Sequence, residues 1–291
     1  MMLTPHFFTQ HWPLDNVSFG ASFQSYPTRR VVQIHSAQGD FVAKIDQQPP
    51  AYVAACQPYA VLDFLAARNF SHVPALLKTR EDQPLFYGAG QSIALMTYID
   101  GGPPDNQPAT WHALGQIAAQ VNAFTDCPVV YTIPTAAVIG ELRAQAQSHP
   151  QKQQFLDFID QLAPLLNAPT LGLVHGEINA ANVRQRRDGT LVLLDWDAAG
   201  TGPVVLEAGY PLLVVFLTEA LHLQREQAVA FYRGYYGAYR PSPVEQGLLF
   251  RAALLHALRY MAFANQPQRW ARICYAVAHR DDLLATVFDY S

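Results

Sequence analysis

The chain has 291 residues, half of them hydrophobic and 14% charged, and carries a net charge of −4 at pH 7. That length accommodates two domains, or one large one, with sizeable cores, and the apolar share excludes a disordered chain. The acidic balance, with no basic run longer than Arg186-Arg187, excludes a nucleic-acid-binding surface.

Cys56, Cys127 and Cys274 lie far apart without CxxC spacing, so no disulfide framework or metal cage is expected. The opening MMLTPHFFTQHW lacks the basic and continuous apolar regions of a signal peptide. Apolar runs such as Pro211 to Leu217 are far too short for a bilayer. These features predict a cytoplasmic protein with no membrane partner.

In chain order, residues 17–46 alternate as three strands, VSFGASFQSY, RRVVQIHS and DFVAKID, the last entered through a turn at Ala37-Gln38-Gly39. AVLDFLAA, Ala60 to Ala67, fits a buried helix, and Pro84 to Tyr98 reads as two short strands. Asp100-Gly101-Gly102-Pro103-Pro104 then ends any strand and forms the best candidate linker. Beyond it the periodicity is helical, from Trp111 to Phe124, from Phe155 to Leu166 with Pro164 as a kink, and nearly throughout from Leu206 onward, with turn signals at Arg240 to Pro243. A strand-rich first third and a helix-rich remainder predict an α+β, two-lobed fold divided as 1–100 and 101–291.

The helical part is interrupted by LGLVHGEINAANVRQRRDGTLVLLDWDAAG, Leu171 to Gly200, which reads as strand, polar loop, hairpin, strand and acidic turn. The loop offers His175, Glu177, Asn179 and Asn182, and the second strand delivers Asp195 and Asp197. Carboxylate and carboxamide oxygens gathered by a short hairpin suit a hard cation such as Mg²⁺, which completes its shell with waters and substrate phosphates. The chemistry this predicts is metal-assisted phosphoryl transfer.

His175-Gly176-Glu177-x-x-x-x-Asn182, followed thirteen residues later by Asp195, resembles the catalytic and metal-binding loops of the aminoglycoside phosphotransferase family, which includes choline- and homoserine-kinase-like enzymes on the protein-kinase fold. The resemblance implies that Glu177 accepts or orients the attacking hydroxyl, that His175 braces the loop, and that Asn182 and Asp195 ligate Mg²⁺. Family members carry Asp where this chain has Glu177. Basicity hardly changes, since the two reference pKa values differ by about 0.4. The extra methylene moves the carboxylate on the order of 1 Å, a displacement that can cost about 10²-fold in rate. Strand alternation would place Asp197 on the same side as Asp195, as a further ligand or as a brace of the turn. Glu207 resembles a structural acid of the family that anchors the following helix.

In the amino-terminal part, Lys44 within FVAKI is suited to hold nucleotide phosphates, the competing reading being an exposed edge-strand lysine. The helix that should offer it a glutamate offers only Asp63, so its partner stays unassigned. Gly20, in Phe19-Gly20-Ala21-Ser22-Phe23, is the only glycine of a reduced phosphate loop, and a plain hairpin explains it equally well. Met96 to Asp100 resembles the hinge whose backbone receives adenine, so Met96 and Tyr98 are candidate nucleotide contacts. Tyr232, Tyr235, Tyr236 and Tyr239 recur at helical spacing, which usually means core, with an aromatic wall for a cationic alcohol as the other reading. From Val205 onward seven acids face eight arginines, which argues against a polycationic aminoglycoside substrate.

The leading expectation is an ATP- and Mg²⁺-dependent kinase of a small-molecule hydroxyl. The alternative is a pseudokinase that binds nucleotide or a partner and transfers nothing, favoured by Glu177, the missing helix glutamate and the thin glycine loop.

Overall fold

The structure is a computed structural model and describes residues 3–129, 135–262 and 266–288. Its elements in chain order are α1 (Pro5–His11), β1 (Ser18–Tyr26), β2 (Arg29–Ser36), β3 (Gly39–Asp46), α2 (Tyr52–Ala67), β4 (Leu76–Leu77), β5 (Phe86–Gly88), β6 (Gln91–Thr97), β7 (Gly101–Gly102), α3 (Pro108–Asn122), α4 (Thr135–Ala146), α5 (Lys152–Asp160), β8 (Leu171–Val174), β9 (Val183–Arg186), β10 (Leu191–Leu193), β11 (Gly200–Pro203), α6 (Val205–Pro211), α7 (Arg225–Ala238), α8 (Pro243–Met261), α9 (Pro267–Ala278) and α10 (Arg280–Phe288). They divide into two units, Met1–Gly102 with Arg184–Asp197, and Pro103–Val183 with Ala198–Ser291.

The first unit is built on an antiparallel sheet of order β1-β2-β3-β6-β4, with β5 also paired to β6. Alternation sorts its side chains. Val32 and Ile34 of β2, Phe41, Ala43 and Ile45 of β3, and Ile93 and Leu95 of β6 are buried in one cluster. The opening segment covers that cluster: Thr4 caps α1, Pro5 sits in its first turn, and Phe7, Phe8 and Trp12 join the core. Lys44, between Ala43 and Ile45, faces the other way. Since β3 pairs on both sides, with β2 and with β6, the edge-strand reading of Lys44 does not hold.

Two local expectations are corrected in this unit. Gly20 does not open a loop: β1 runs through it to Tyr26, and the chain reverses at Pro27-Thr28. The pairing of β1 with β2 shifts register between Phe19 and Ser22, and a Cβ at Gly20 would come within 2.6 Å of the His35 imidazole nitrogen. The glycine therefore answers to packing against β2, not to a turn. Gly101-Gly102 does not only break structure either. It forms the short strand β7, paired with Arg186 and Gln185 of β9. A Cβ at Gly101 would meet the Gln185 carbonyl oxygen at 2.2 Å, so this approach requires glycine.

The second unit is helical apart from the antiparallel pair β8–β11. Its tightest helix contact is α3 on α7, where Gly115 faces the backbone of Phe231 and Gly234 faces that of His112. The segment 155–166 is not one kinked helix: α5 ends at Asp160, and a separate 3₁₀ turn holds Ala163–Asn167, with Pro164 in its first positions, where a missing N–H costs nothing. α8 opens with a capping box between Ser242 and Glu245 and is buried along most of its length. The tyrosine stripe is largely core. Tyr232 and Tyr235 are buried, their hydroxyls bonded to the Ala208 carbonyl and to Asn122, and the Tyr239 hydroxyl reaches Glu245. No helix among the described residues is long and apolar enough to cross a membrane. The last residues of the helical stretch, 289–291, lie outside the described ones.

Candidate active site

The residues singled out above fall into two groups, one in each unit. In the first unit the Lys44 ammonium lies 2.6 Å from an oxygen of Asp195 and 2.6 Å from an oxygen of Asp197. Arg29, at the start of β2, donates to the other oxygen of Asp197 at 2.5 Å and to Asp46 at 3.3 Å. Arg29 and Asp46 are register partners across β2 and β3, so the sheet itself aligns them. Burial opposes the charge on Lys44, but Asp197 and then Asp195 more than offset it, and the ammonium is held above its ordinary range. Burial likewise works against the Asp197 carboxylate, yet Lys44 and Arg29 hold it below the usual carboxylate range. Tyr59 of α2 lies beside them, its hydroxyl pushed up to about 12 chiefly by burial.

Asp195 and Asp197 do meet the same cation, but strand alternation is not the reason. β10 stops at Leu193, and Asp195 sits in the left-handed region at φ 59°. For a non-glycine residue this conformation costs on the order of 1 kcal/mol, and it turns the Asp195 carboxylate onto Lys44. Trp196, buried between the two acids with its indole N–H on the Leu193 carbonyl, pins the turn. Asp63 is not the partner of Lys44: it lies 3.0 Å from Lys78. Gly20 sits mid-strand, as described. Met96 is paired with Val42 near the end of β6, and Tyr98, just beyond, donates its backbone N–H to the Asp40 carbonyl at 2.9 Å.

In the second unit, β8 delivers the loop. Glu207, fully buried on α6, accepts the backbone N–H groups of His175 at 2.5 Å and Gly176 at 3.1 Å. Burial first, and Glu177 further down, push this carboxyl up to about 7 against the pull of those two bonds. Glu207 therefore ties down the loop before it, as well as belonging to the helix. His175 is fully buried, and its Nδ1 accepts the Glu177 N–H at 3.3 Å. Gly176 has φ 86°, a turn only glycine takes without strain. Asn179 caps the short 3₁₀ turn at Ala180–Asn182 by accepting from Ala181 and Asn182, and its amide donates to the Glu177 carbonyl and the Tyr210 hydroxyl, each at 3.0 Å. Asn182 also donates to the Glu177 carbonyl, at 3.1 Å. With its nitrogen engaged, the orientation of its Oδ1 is set. The Glu177 carboxylate receives a hydrogen bond from Tyr260 of α8.

Three residues of this chemistry escape a reading of the sequence. Arg29 is visible only as the strand partner of Asp46. Tyr59 reads as a core aromatic, and Tyr260 lies in an apolar helix 83 positions from Glu177. Among the described residues no three His, Cys, Asp or Glu side chains cluster as a metal cage. Mg²⁺ does not need one, since it is commonly held by one or two carboxylates with waters and phosphates. The carboxylates of Asp195 and Asp197, which meet on one ammonium, supply oxygen donors of the kind such an ion takes.

A family model of phosphotransferase enzymes matches residues 26–242. The chain belongs to the phosphotransferase enzyme family. The match takes in Lys44, Glu177, Asn182, Asp195 and Asp197 of this phosphotransferase. No curated protein sequence matches it. Among solved structures it is similar to an amicoumacin kinase in complex with AMP-PNP and Ca²⁺, with a TM-score of 0.70, 13% identity, and 94% and 92% of the two chains covered. An ethanolamine kinase of Plasmodium vivax gives a TM-score of 0.61 at 10% identity, covering 94% of this chain and 83% of that one. A spectinomycin phosphotransferase in complex with ADP and spectinomycin gives 0.60 at 14% identity, covering 98% and 96%. These likenesses show the fold, that of the protein-kinase-like phosphotransferases, with a β-rich amino-terminal part and a helical carboxy-terminal part.

Proposed function

We propose that the protein is an ATP- and Mg²⁺-dependent kinase that phosphorylates a hydroxyl of a small molecule. The observation that carries this is the Lys44 ammonium held by Asp195 and Asp197. It is a half-buried cation suited to phosphate oxygens beside two carboxylates suited to a hard cation, in a chain of the phosphotransferase family. The nucleotides and the divalent cation in complex with the similar structures support the same cofactors here, and the names of those enzymes support a small-molecule acceptor.

In this reading Lys44 donates to the nucleotide phosphates, with Met96 and Tyr98 beside the base. Asp195 and Asn182 hold the metal, with Asp197 as a further ligand or as the brace of the turn. Bound Mg²⁺ would neutralise charge developing on the phosphates. Glu177 accepts the proton of the attacking hydroxyl, and His175 and Glu207 keep its loop in place. Phosphoryl transfer asks little covalent chemistry of a protein, so positioning and charge neutralisation supply the rate. The enzyme would act in the cytoplasm.

The replacement of the family's Asp by Glu177 favours a second reading, a pseudokinase that binds nucleotide without transfer. Calorimetric titration of ATP with and without Mg²⁺, into wild type and Asp195→Ala, followed by turnover assays on Glu177→Gln, separates the two. The kinase reading expects Mg²⁺-dependent binding that Asp195→Ala abolishes and turnover that Glu177→Gln abolishes. Binding without turnover leaves the pseudokinase, and no binding in either condition refutes both nucleotide readings.

A further inference from the structure

Glu177 is one methylene longer than its counterpart in the family, and its surroundings show where the extra length goes. The Tyr260 hydroxyl donates to Oε1 of Glu177. Arg259 donates to the same hydroxyl from its Nη1, at 2.8 Å. A phenol has a single proton to give. With an arginine N–H occupying its oxygen, that proton points at the carboxylate. The ring has little freedom to swing away. Tyr210 meets it edge-on with centroids 5.8 Å apart, His256 lies nearly parallel at 6.3 Å, and the Arg259 guanidinium stands 4.8 Å over its face. Tyr210 is fixed in turn by the Asn179 amide, 3.0 Å from its hydroxyl. Among the described residues Oε2 of Glu177 makes no hydrogen bond.

We infer that Tyr260 is a positioning residue that clamps Oε1 of Glu177, absorbs the extra methylene, and presents Oε2 as the oxygen that takes the acceptor's proton. The inference rests on the kinase reading and adds to it a residue that the loop motif does not contain. An aspartate at 177 would fall short of the hydroxyl by about one C–C bond, on the order of 1 Å, so the tyrosine and the glutamate are matched in length. A displacement of that size costs about 10²-fold when it moves a catalytic group.

The test is a double-mutant cycle over wild type, Tyr260→Phe, Glu177→Asp and the double variant. Two readouts are taken: ADP release from Mg²⁺–ATP with water as the acceptor, and urea midpoints as a measure of folding. Tyr260→Phe keeps the ring and its contacts, so a folded protein is expected with an unchanged KM for ATP and a kcat lower by roughly 10- to 100-fold. Glu177→Asp should lose a similar factor. In the double variant the tyrosine change should matter by less than about twofold, because the shorter acid does not reach the hydroxyl. The urea midpoints should show the same non-additivity. Additive losses, or a Tyr260→Phe enzyme as fast as wild type, overturn the role of Tyr260 and leave the kinase reading intact. A wild type that binds Mg²⁺–ATP and releases no ADP, with water or with any of a panel of small alcohols and amino alcohols as the acceptor, overturns both.

Discussion

Replacing Glu207 by glutamine should change how the stability of the protein depends on pH. Glu207 is fully buried, with one oxygen on the N–H groups of His175 and Gly176 and the other without a partner among the described residues. Its carboxyl is raised from 4.5 to about 7 by burial. A raised carboxyl makes the folded state bind the proton more tightly than the unfolded chain does. Its contribution is therefore fully present below about pH 4.5 and is lost as pH rises to about 7, with no further change above. At about 1.4 kcal/mol for each pH unit, the loss is about 3 kcal/mol.

His256 acts in the opposite sense. Burial first, then Arg259, lowers it to about 3, so its contribution is present above about 6.5 and is lost as pH falls toward 3. Between about pH 4.5 and 6.5 the two slopes cancel in wild type. In Glu207→Gln only the histidine slope remains, and stability should rise with pH across that window. The amide oxygen can still accept both N–H groups, while its NH₂ meets no acceptor, a constant cost of about 1–3 kcal/mol. Urea denaturation of both proteins from pH 4.5 to 8.5 gives the difference directly. The advantage of wild type over the variant should shrink by about 3 kcal/mol from the acid to the neutral end. A difference that is constant, or that grows with pH, would refute the assignment of a raised carboxyl to this site.

Gly115→Ala would place a methyl 2.0 Å from the Phe231 carbonyl oxygen, where no flexible atom can yield. A loss of about 3 kcal/mol or more is expected, read as a lower urea midpoint, and a neutral result would show that α3 and α7 separate easily. Asp63→Asn removes the partner of exposed Lys78 and not of Lys44, so affinity for Mg²⁺–ATP should stay within about twofold and stability within about 0.5 kcal/mol. A large loss of nucleotide affinity in calorimetry would mean that Asp63 serves Lys44 after all.

What a sequence can show here depends on the range of the forces involved. The strand that carries Lys44 is legible because alternation is local: Phe41, Ala43 and Ile45 must share a face, and Lys44 must take the other. The loop from His175 to Asn182 is legible because its hydrogen bonds run between neighbours, as from Asn179 to Ala181 and Asn182. Gly20 is misread because a glycine needed for a turn and one needed for close packing look alike in one dimension, and only the pairing of β1 with β2 tells them apart. The shared cation of Asp195 and Asp197 follows from a left-handed residue after β10, a conformation that no periodicity announces. Arg29 and Tyr260 act across the fold, through a strand register and a helix face, and nothing near them in the chain marks either.

The first unit is discontinuous, and this bears on how the chain is made. Lys44 and Asp195 are 151 positions apart, so the ribosome delivers the ammonium long before its counter-charges. Until Arg184–Asp197 emerges, the nascent sheet lacks the hairpin β9–β10 that completes its unit. Domains usually fold as units during synthesis, from the amino terminus onward, but this one cannot close until two thirds of the chain exists. A fragment ending at Gly102 would hold Lys44 without Asp195 or Asp197. It would also lack the β9–β10 segment that completes its unit, so such a fragment should collect chaperones or proteases in place of a stable fold.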